Sequence, residues 1–328
     1  MNDAVTPAHG RIIDSAFRPA LGLAGAHRQT LAGGLWPVLR RPPIWRERWE
    51  LPDGDFTDID WVDGAPHTAP WALVLPGILG GTESPYAVHL LAHLHRTGYR
   101  AGLLNHRGLS GTPNRFAPAY HAGFTRDLDH VARHLANRSG PGLVIGFSMG
   151  GSVVLKWLGD TGADAPVTAA AAVSVPFRLA AAADTLHSGK GRLYGHYMLK
   201  NLSRLTRKKF AHMTTPIPMS TFDDMHTLRD FDHLVTAPLH GYASADDYYA
   251  KASSLPSLRR IAVPTLIVNA IDDPLVPRDS LPTPDDLSPT VTLELTRHGG
   301  HVGFIGRGHY GCPRFWLDGH LLEFLRNT

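Results

Sequence analysis

A single cysteine, Cys312, stands among 328 residues, which excludes an intrachain disulfide and fits a reducing compartment. Long apolar runs are missing too, since no stretch approaches the roughly 18 residues that a membrane span needs. The opening MNDAVTPAHGRIIDSAF has no basic segment followed by an apolar one, so no secretory signal is expected. Charge of one sign is scarce. Thirty-two Lys and Arg against 29 Asp and Glu leave +3, too little to argue for a nucleic-acid partner. Neither an internal repeat nor a low-complexity tract is seen. These absences lead to a soluble, cytoplasmic protein, long enough to bury a core without staples.

What is present centres on GLVIGFSMGGSVVL, Gly142 to Leu155. Leu143 to Gly146 read as a buried strand, Phe147 to Gly151 as a tight turn, and Ser152 to Leu158 as a helix. Within it lies Gly-x-Ser-x-Gly with Ser148 at the centre. A strand-to-helix turn sharp enough to expose a serine Oγ is strained, and glycines two positions either side leave room for it. The same turn aims backbone N–H groups at the place where an oxyanion would form. Ser148 is therefore the candidate nucleophile.

Around this elbow the chain alternates. Met1 to Pro43, rich in Gly, Pro and Ala, reads as an arm packed on the core. Trp45 to Leu51 and Phe56 to Val62 alternate apolar with polar about Asp53-Gly54, a hairpin pattern. Strands are expected at Trp71 to Leu75, Ala101 to Asn105 and Val167 to Val175, with helices at Ser84 to Thr97 (Ser84 as N-cap) and Thr125 to Asn137. This rhythm means a parallel sheet wound with helices. It stops between Pro176 and Pro256, where helical segments such as Arg192 to Ala211 replace strands. Strands resume at Thr265 to Asn269 and Thr290 to Leu295, before a last helix from about Pro313 to Arg326. The division expected is an arm over 1–43, a core over 44–176 and 257–328, and a helical lid over 177–256 lying on the sheet's C-terminal edge.

A serine elbow needs an acid and then a base, each in the loop after a late strand. Asp272 and Asp273 follow the first late strand. The Asp-x-x-x-Pro spacing to Pro277 favours Asp273, although an Asp there can merely close a turn. His298 and His301 follow the second, and the two glycines before His301 favour it, because they let the loop approach the serine. With 20 histidines in the chain, position is the argument. The oxyanion donors expected are the backbone N–H groups of Met149, next to the nucleophile, and of Ile78 in the loop PGILGG. His106 and Arg107 fall in a loop walling the pocket, Arg107 as an ion-pair member. His89, His93 and His95 include an i, i+4 pair, but no third ligand is evident, so a solvated face is expected rather than a metal site. In Arg192 to Lys209, Leu193, Tyr197, Leu202 and Leu205 fall near one face. A lid helix packing that stripe on the core is the simpler reading, with peripheral contact to an anionic lipid surface as the other.

With elbow, acid, base and oxyanion loop in place, the chain resembles the α/β-hydrolase superfamily. More narrowly it is similar to the YheT-type branch of hydrolases, relatives of the ABHD-type lipases. The matching stretches are ELPDGDF (Glu50 to Phe56), SPYA (Ser84 to Ala87), HRGLSGTPNR (His106 to Arg115), YHAG (Tyr120 to Gly123), HGYASADDYY (His240 to Tyr249) and HGGHVGFIG (His298 to Gly306). The resemblance implies an α/β-hydrolase fold: a mostly parallel, twisted sheet of about eight strands, helices on both faces and a helical lid. It also implies hydrolysis of short- to medium-chain carboxylic esters through an acyl-enzyme, with Ser148, Asp273 and His301 as triad and no cofactor or metal. Pro76, where many relatives carry His before the oxyanion glycine, departs from the pattern. Acyl transfer with the same triad, or a noncatalytic scaffold, are the alternatives; an Asp-nucleophile enzyme is disfavoured by Ser148 at the elbow.

Overall fold

A computed structural model describes residues 9–38, 40–211, 213–308 and 312–328. In chain order it begins with β1 (Arg11–Asp14), α1 (Ala26–Leu35), β2 (Ile44–Glu50) and β3 (Phe56–Val62). Then come β4 (Trp71–Leu75), α2 (Pro85–Arg96), β5 (Arg100–Leu104), α3 (Arg126–Ser139), β6 (Gly142–Phe147), α4 (Met149–Thr161) and β7 (Val167–Val173). Helices fill the next stretch: α5 (Leu179–His187), α6 (Gly191–Phe210), α7 (Leu228–Phe231), a π-helical turn (Asp232–Thr236), α8 (Ala237–His240) and α9 (Ala245–Ala252). The chain closes with β8 (Thr265–Ala270), β9 (Val291–Thr296), β10 (Ile305–Arg307), β11 (Pro313–Phe315) and α10 (Leu317–Arg326).

The main sheet has the order β1-β9-β8-β7-β6-β4-β5-β3-β2. Its strands run parallel from β1 to β5, and the hairpin β2-β3 closes the far edge antiparallel. The apolar runs WALVL and GLVIGF are buried along their whole length, as a parallel strand covered on both faces requires. Side chains of alternate residues feed two cores. Leu143, Ile145 and Phe147 face Leu90, Leu91 and Leu94 of α2 and Leu321 and Leu322 of α10. On the other face Leu73, Leu75 and Val144 meet Leu128, Val131 and Leu135 of α3 and Val154 and Leu158 of α4. Each fully buried leucine here contributes about 2 kcal/mol. Among the described residues no helix is long and apolar enough to cross a membrane.

Local chemistry explains where the structure departs from the expectations. The sheet has nine strands rather than eight because the arm supplies β1, four residues too short to show an alternation. It pairs in parallel with β9, covering that edge. The arm also contains α1, whose Gly-containing sequence gives no strong helical period. Ser84 does precede α2, but its Oγ accepts the Gly81 N–H at 3.2 Å instead of capping the helix. Pro313 to Phe315 form β11 against β10, and the last helix starts later, at Leu317. On α6, Leu199, Leu202 and Phe210 are buried, whereas Leu193 and Tyr197 are exposed. Leu193 and Leu202 are nine residues, or two and a half helical turns, apart, so they cannot share a face. The histidines of α2 are half-buried, not solvated. His89 packs 4.8 Å from the Phe315 ring, and burial lowers the pKa of His89 and His93.

Candidate active site

Parallel α/β sheets present their loops at the C-terminal ends of the strands, and six such loops converge here. After β6, Ser148 adopts φ 51° and ψ −120°, a strained conformation for a residue with a side chain. The flanking glycines make it possible: a Cβ on Gly146 would lie 2.4 Å from the Gly150 carbonyl oxygen, and one on Gly150 would lie 2.4 Å from that of Pro76. After β9, His301 brings its Nε2 to 2.8 Å from Ser148 Oγ. Its Nδ1 lies 2.9 Å from Asp273 Oδ2, after β8. The Asp273 side chain is fully buried, and its Oδ1 accepts the N–H groups of Leu275 and Val276 at 2.8 and 3.2 Å. Such bonds fix the orientation of the carboxylate.

The competing residues stand elsewhere. Asp272 Oδ1 accepts the Gly300 N–H at 3.0 Å, and its Oδ2 lies 3.4 Å from His298 Nδ1. Asp272 and His298 therefore brace the base loop without meeting Ser148. Arg107 is an ion-pair member, bidentate to Asp127 at 2.7 and 2.6 Å and bonded to Asp53 at 2.7 Å.

Ile78 and Met149 line the same cavity as Ser148 and His301. The loop carrying Ile78 is held from two sides. Gly77 donates its N–H to the Tyr86 hydroxyl at 3.0 Å, and a Cβ on Gly77 would come within 3.2 Å of Ser148 Cβ. His106 Nε2 lies 2.9 Å from the Pro76 carbonyl oxygen. Burial pushes this imidazole down to about 4, so it is neutral and donates Nε2–H. Here Pro76 keeps its carbonyl as the anchor and gives up only a side chain.

Sequence reasoning missed the support beneath His301. Its backbone N–H donates to Thr30 Oγ1 on α1 at 2.9 Å. Buried Gln29, also on α1, bonds both the N–H and the carbonyl of Ile305, at 2.8 and 3.0 Å. Val302, at φ 55°, donates to Ser174 Oγ after β7 at 3.0 Å. These partners lie more than 100 residues apart in the chain, and no local spacing signals them.

Two cavities adjoin at Ile78 and Met149, and the smaller one is lined by Ser148 and His301. One, of about 120 Å³, is walled by apolar side chains including Leu179, Ala182, Leu186, Met198 and Val276. The other, of about 380 Å³, opens between the His106 to Ala119 region and α6 and carries Arg107, Arg204, Lys208 and Lys209. They share Ile78, Met149, Leu202, Asp232 and Tyr248. Chemically, the arrangement offers a hydroxyl bonded to an imidazole, a buried carboxylate behind it, and an apolar cavity beside the hydroxyl.

Comparison with known proteins identifies the family and the fold. A family model described as the alpha/beta hydrolase fold matches residues 70–307. The chain is 39% identical over 317 residues to the candidate esterase YheT of Escherichia coli (strain K12), covering 94% of this chain and 92% of that one. It is 31% identical to human phospholipase ABHD3, with 97% and 80% covered. Among solved structures, the Pyrococcus furiosus esterase Pf2001 superposes with a TM-score of 0.54 at 16% identity, over 87% and 92% of the two chains. That last likeness is one of fold alone.

Proposed function

The chain belongs to the α/β-hydrolase family, and from that premise we propose that it is a serine esterase cleaving short- to medium-chain carboxylic esters through an acyl-enzyme on Ser148. The observation that carries this reading is the 2.8 Å contact between Ser148 Oγ and His301 Nε2, backed by Asp273. His301 takes the Oγ proton as Oγ attacks the ester carbonyl. The N–H groups of Met149 and Ile78 receive the charge that develops on the oxygen. Imidazolium then protonates the departing alcohol. Neutral again, His301 draws a proton from water as the water attacks the acyl-enzyme, and then returns that proton to Ser148 Oγ as the acid departs. Asp273 keeps Nδ1 protonated and stabilises the imidazolium.

In the same proposal residues 177–256 act as a lid, the apolar cavity takes the acyl chain and the larger one the alcohol. The lone thiol of Cys312 fits work in the cytoplasm. Ser148→Ala is expected to lower p-nitrophenyl butyrate turnover by about a thousandfold or more, and to abolish labelling by a fluorophosphonate, while circular dichroism stays native. Retained turnover in that variant, or labelling at another residue, would refute the assignment.

A further inference from the structure

Asp232 is a carboxylate that the ester chemistry above does not use. It opens the π-helical turn between α7 and α8, an irregularity frequent at functional sites. Its residue retains accessible surface, and it lines both cavities. Thr236 Oγ1 donates to its Oδ1 at 2.7 Å and the Tyr249 hydroxyl to its Oδ2 at 2.8 Å. Two donors leave lone pairs free on both oxygens, because an ionised carboxylate accepts about four hydrogen bonds.

A carboxylate in this position costs stability unless it is needed. Among the described residues of the smaller cavity, the other polar side chains are Ser148, His301 and the Tyr248 and Tyr249 hydroxyls. Of the tyrosines, Tyr249 already donates to Asp232, and the Tyr248 oxygen accepts the Ala122 N–H at 3.1 Å. If Asp232 only tied α9 to the π turn, an apolar pair of matching shape would serve as well.

We propose that Asp232 is the alcohol-side subsite of this esterase and accepts a hydrogen bond from a free hydroxyl on the alcohol being released, so that the substrate class is the monoester of a polyol. The larger cavity decides against a cationic ligand. Besides Arg107, whose charge its aspartates offset, its described lining carries the basic Arg204, Lys208 and Lys209 and one carboxylate, Asp232, so an ammonium group would be repelled on entry while a neutral hydroxyl would not. Position decides the distance from the scissile bond. Asp232 shares walls with Ser148 in one cavity and with the approach in the other, which suits a hydroxyl close to the ester oxygen. Burial pushes its carboxyl up to about 6, against the pull of the two hydroxyl donors and Arg229. At neutral pH it is therefore ionised but poorly solvated, a strong acceptor for one more donor.

This subsite rests on the esterase reading, and the test separates the two. The full chain is assayed on ethyl butyrate and on 2-hydroxyethyl butyrate, esters matched but for one hydroxyl. The native protein is expected to favour the hydroxylated ester by about tenfold or more in kcat/KM, the worth of a hydrogen bond to a charged acceptor. Asp232→Ala and the isosteric Asp232→Asn are each expected to bring that ratio at least severalfold towards one. The ratio is read within each variant and so does not depend on how much of it folds. Tyr249→Phe, which cuts the tie to α9 but keeps the carboxylate, is expected to preserve the ratio. A native ratio near one, an unchanged ratio in both Asp232 variants, or a collapse in Tyr249→Phe equal to theirs would overturn the subsite while leaving the esterase intact. No hydrolysis of either ester by the native chain would overturn both.

Discussion

Adjacent carboxylates follow β8, and their contacts divide the work between them. Asp273 holds His301 Nδ1 at 2.9 Å, whereas Asp272 holds the Gly300 N–H at 3.0 Å. An Asn at 273 would disturb the imidazole tautomer, which in a serine triad is worth orders of magnitude. An Asn at 272 can still accept the Gly300 N–H through its carbonyl oxygen. Asp273→Asn is therefore expected to lower kcat on p-nitrophenyl butyrate by about a thousandfold, and Asp272→Asn by less than about tenfold. Steady-state kinetics of the two variants decide it, and a reversed order would move the acid to Asp272. The meeting of Ser148, Asp273 and His301 could be expected because each stands at a strand end with its own local pattern: the glycines at 146 and 150, the proline at 277, and the glycines at 299 and 300. Asp232 had no such pattern. Its meaning comes from a cavity wall, and a cavity exists only after residues remote in sequence have packed.

At the scale of elements, the alternating core was legible because buried strands and amphipathic helices carry their periods openly. The arm was not. Helix α1 shows a weak apolar pattern, and its value lies in what it touches: Thr30 takes the His301 N–H, and Gln29 serves Ile305 as a neighbouring strand would. Gly300 and Gly303 allow this approach, since a Cβ on either would lie 2.3 to 2.4 Å from a carbonyl oxygen of α1. Thr30 is thus a positioning residue. Thr30→Val keeps the shape and strands the His301 N–H, a loss of about 1 to 2 kcal/mol. If that loss falls on the alignment of the imidazole, kcat drops by about fivefold to thirtyfold while KM for p-nitrophenyl butyrate stays level. A fall in melting temperature with kcat untouched would mean that α1 supports the fold alone.

For the whole molecule, acidification sets buried groups against one another. Burial pushes His106 and His240 down to about 4 and His121 to about 3. Each is neutral when folded and charged when unfolded below about 6.5, so the stability it confers is full above that pH and is lost as pH falls towards the folded value. Burial raises Asp232 to about 6 and Asp318 to about 7. These carboxyls act oppositely, favouring the folded state as pH falls. Near pH 5 the three histidines outweigh the two carboxyls by about one proton, or about 1.4 kcal/mol per pH unit. Urea unfolding is expected to give a stability about 2 kcal/mol lower at pH 5 than at pH 7, and an unchanged or higher value would mean that the carboxyls dominate. The seat of His301 also has a consequence in time. Because Thr30 lies 271 residues before the N–H it receives, a chain growing from its N-terminus exposes α1 first and the loop that α1 supports almost last. The nucleophile strand and the acid emerge in between, so a nascent or C-terminally shortened chain can assemble most of its sheet and still lack an aligned base. Hydrolytic competence would then arrive in one late step, when α1 and the His301 loop close on each other.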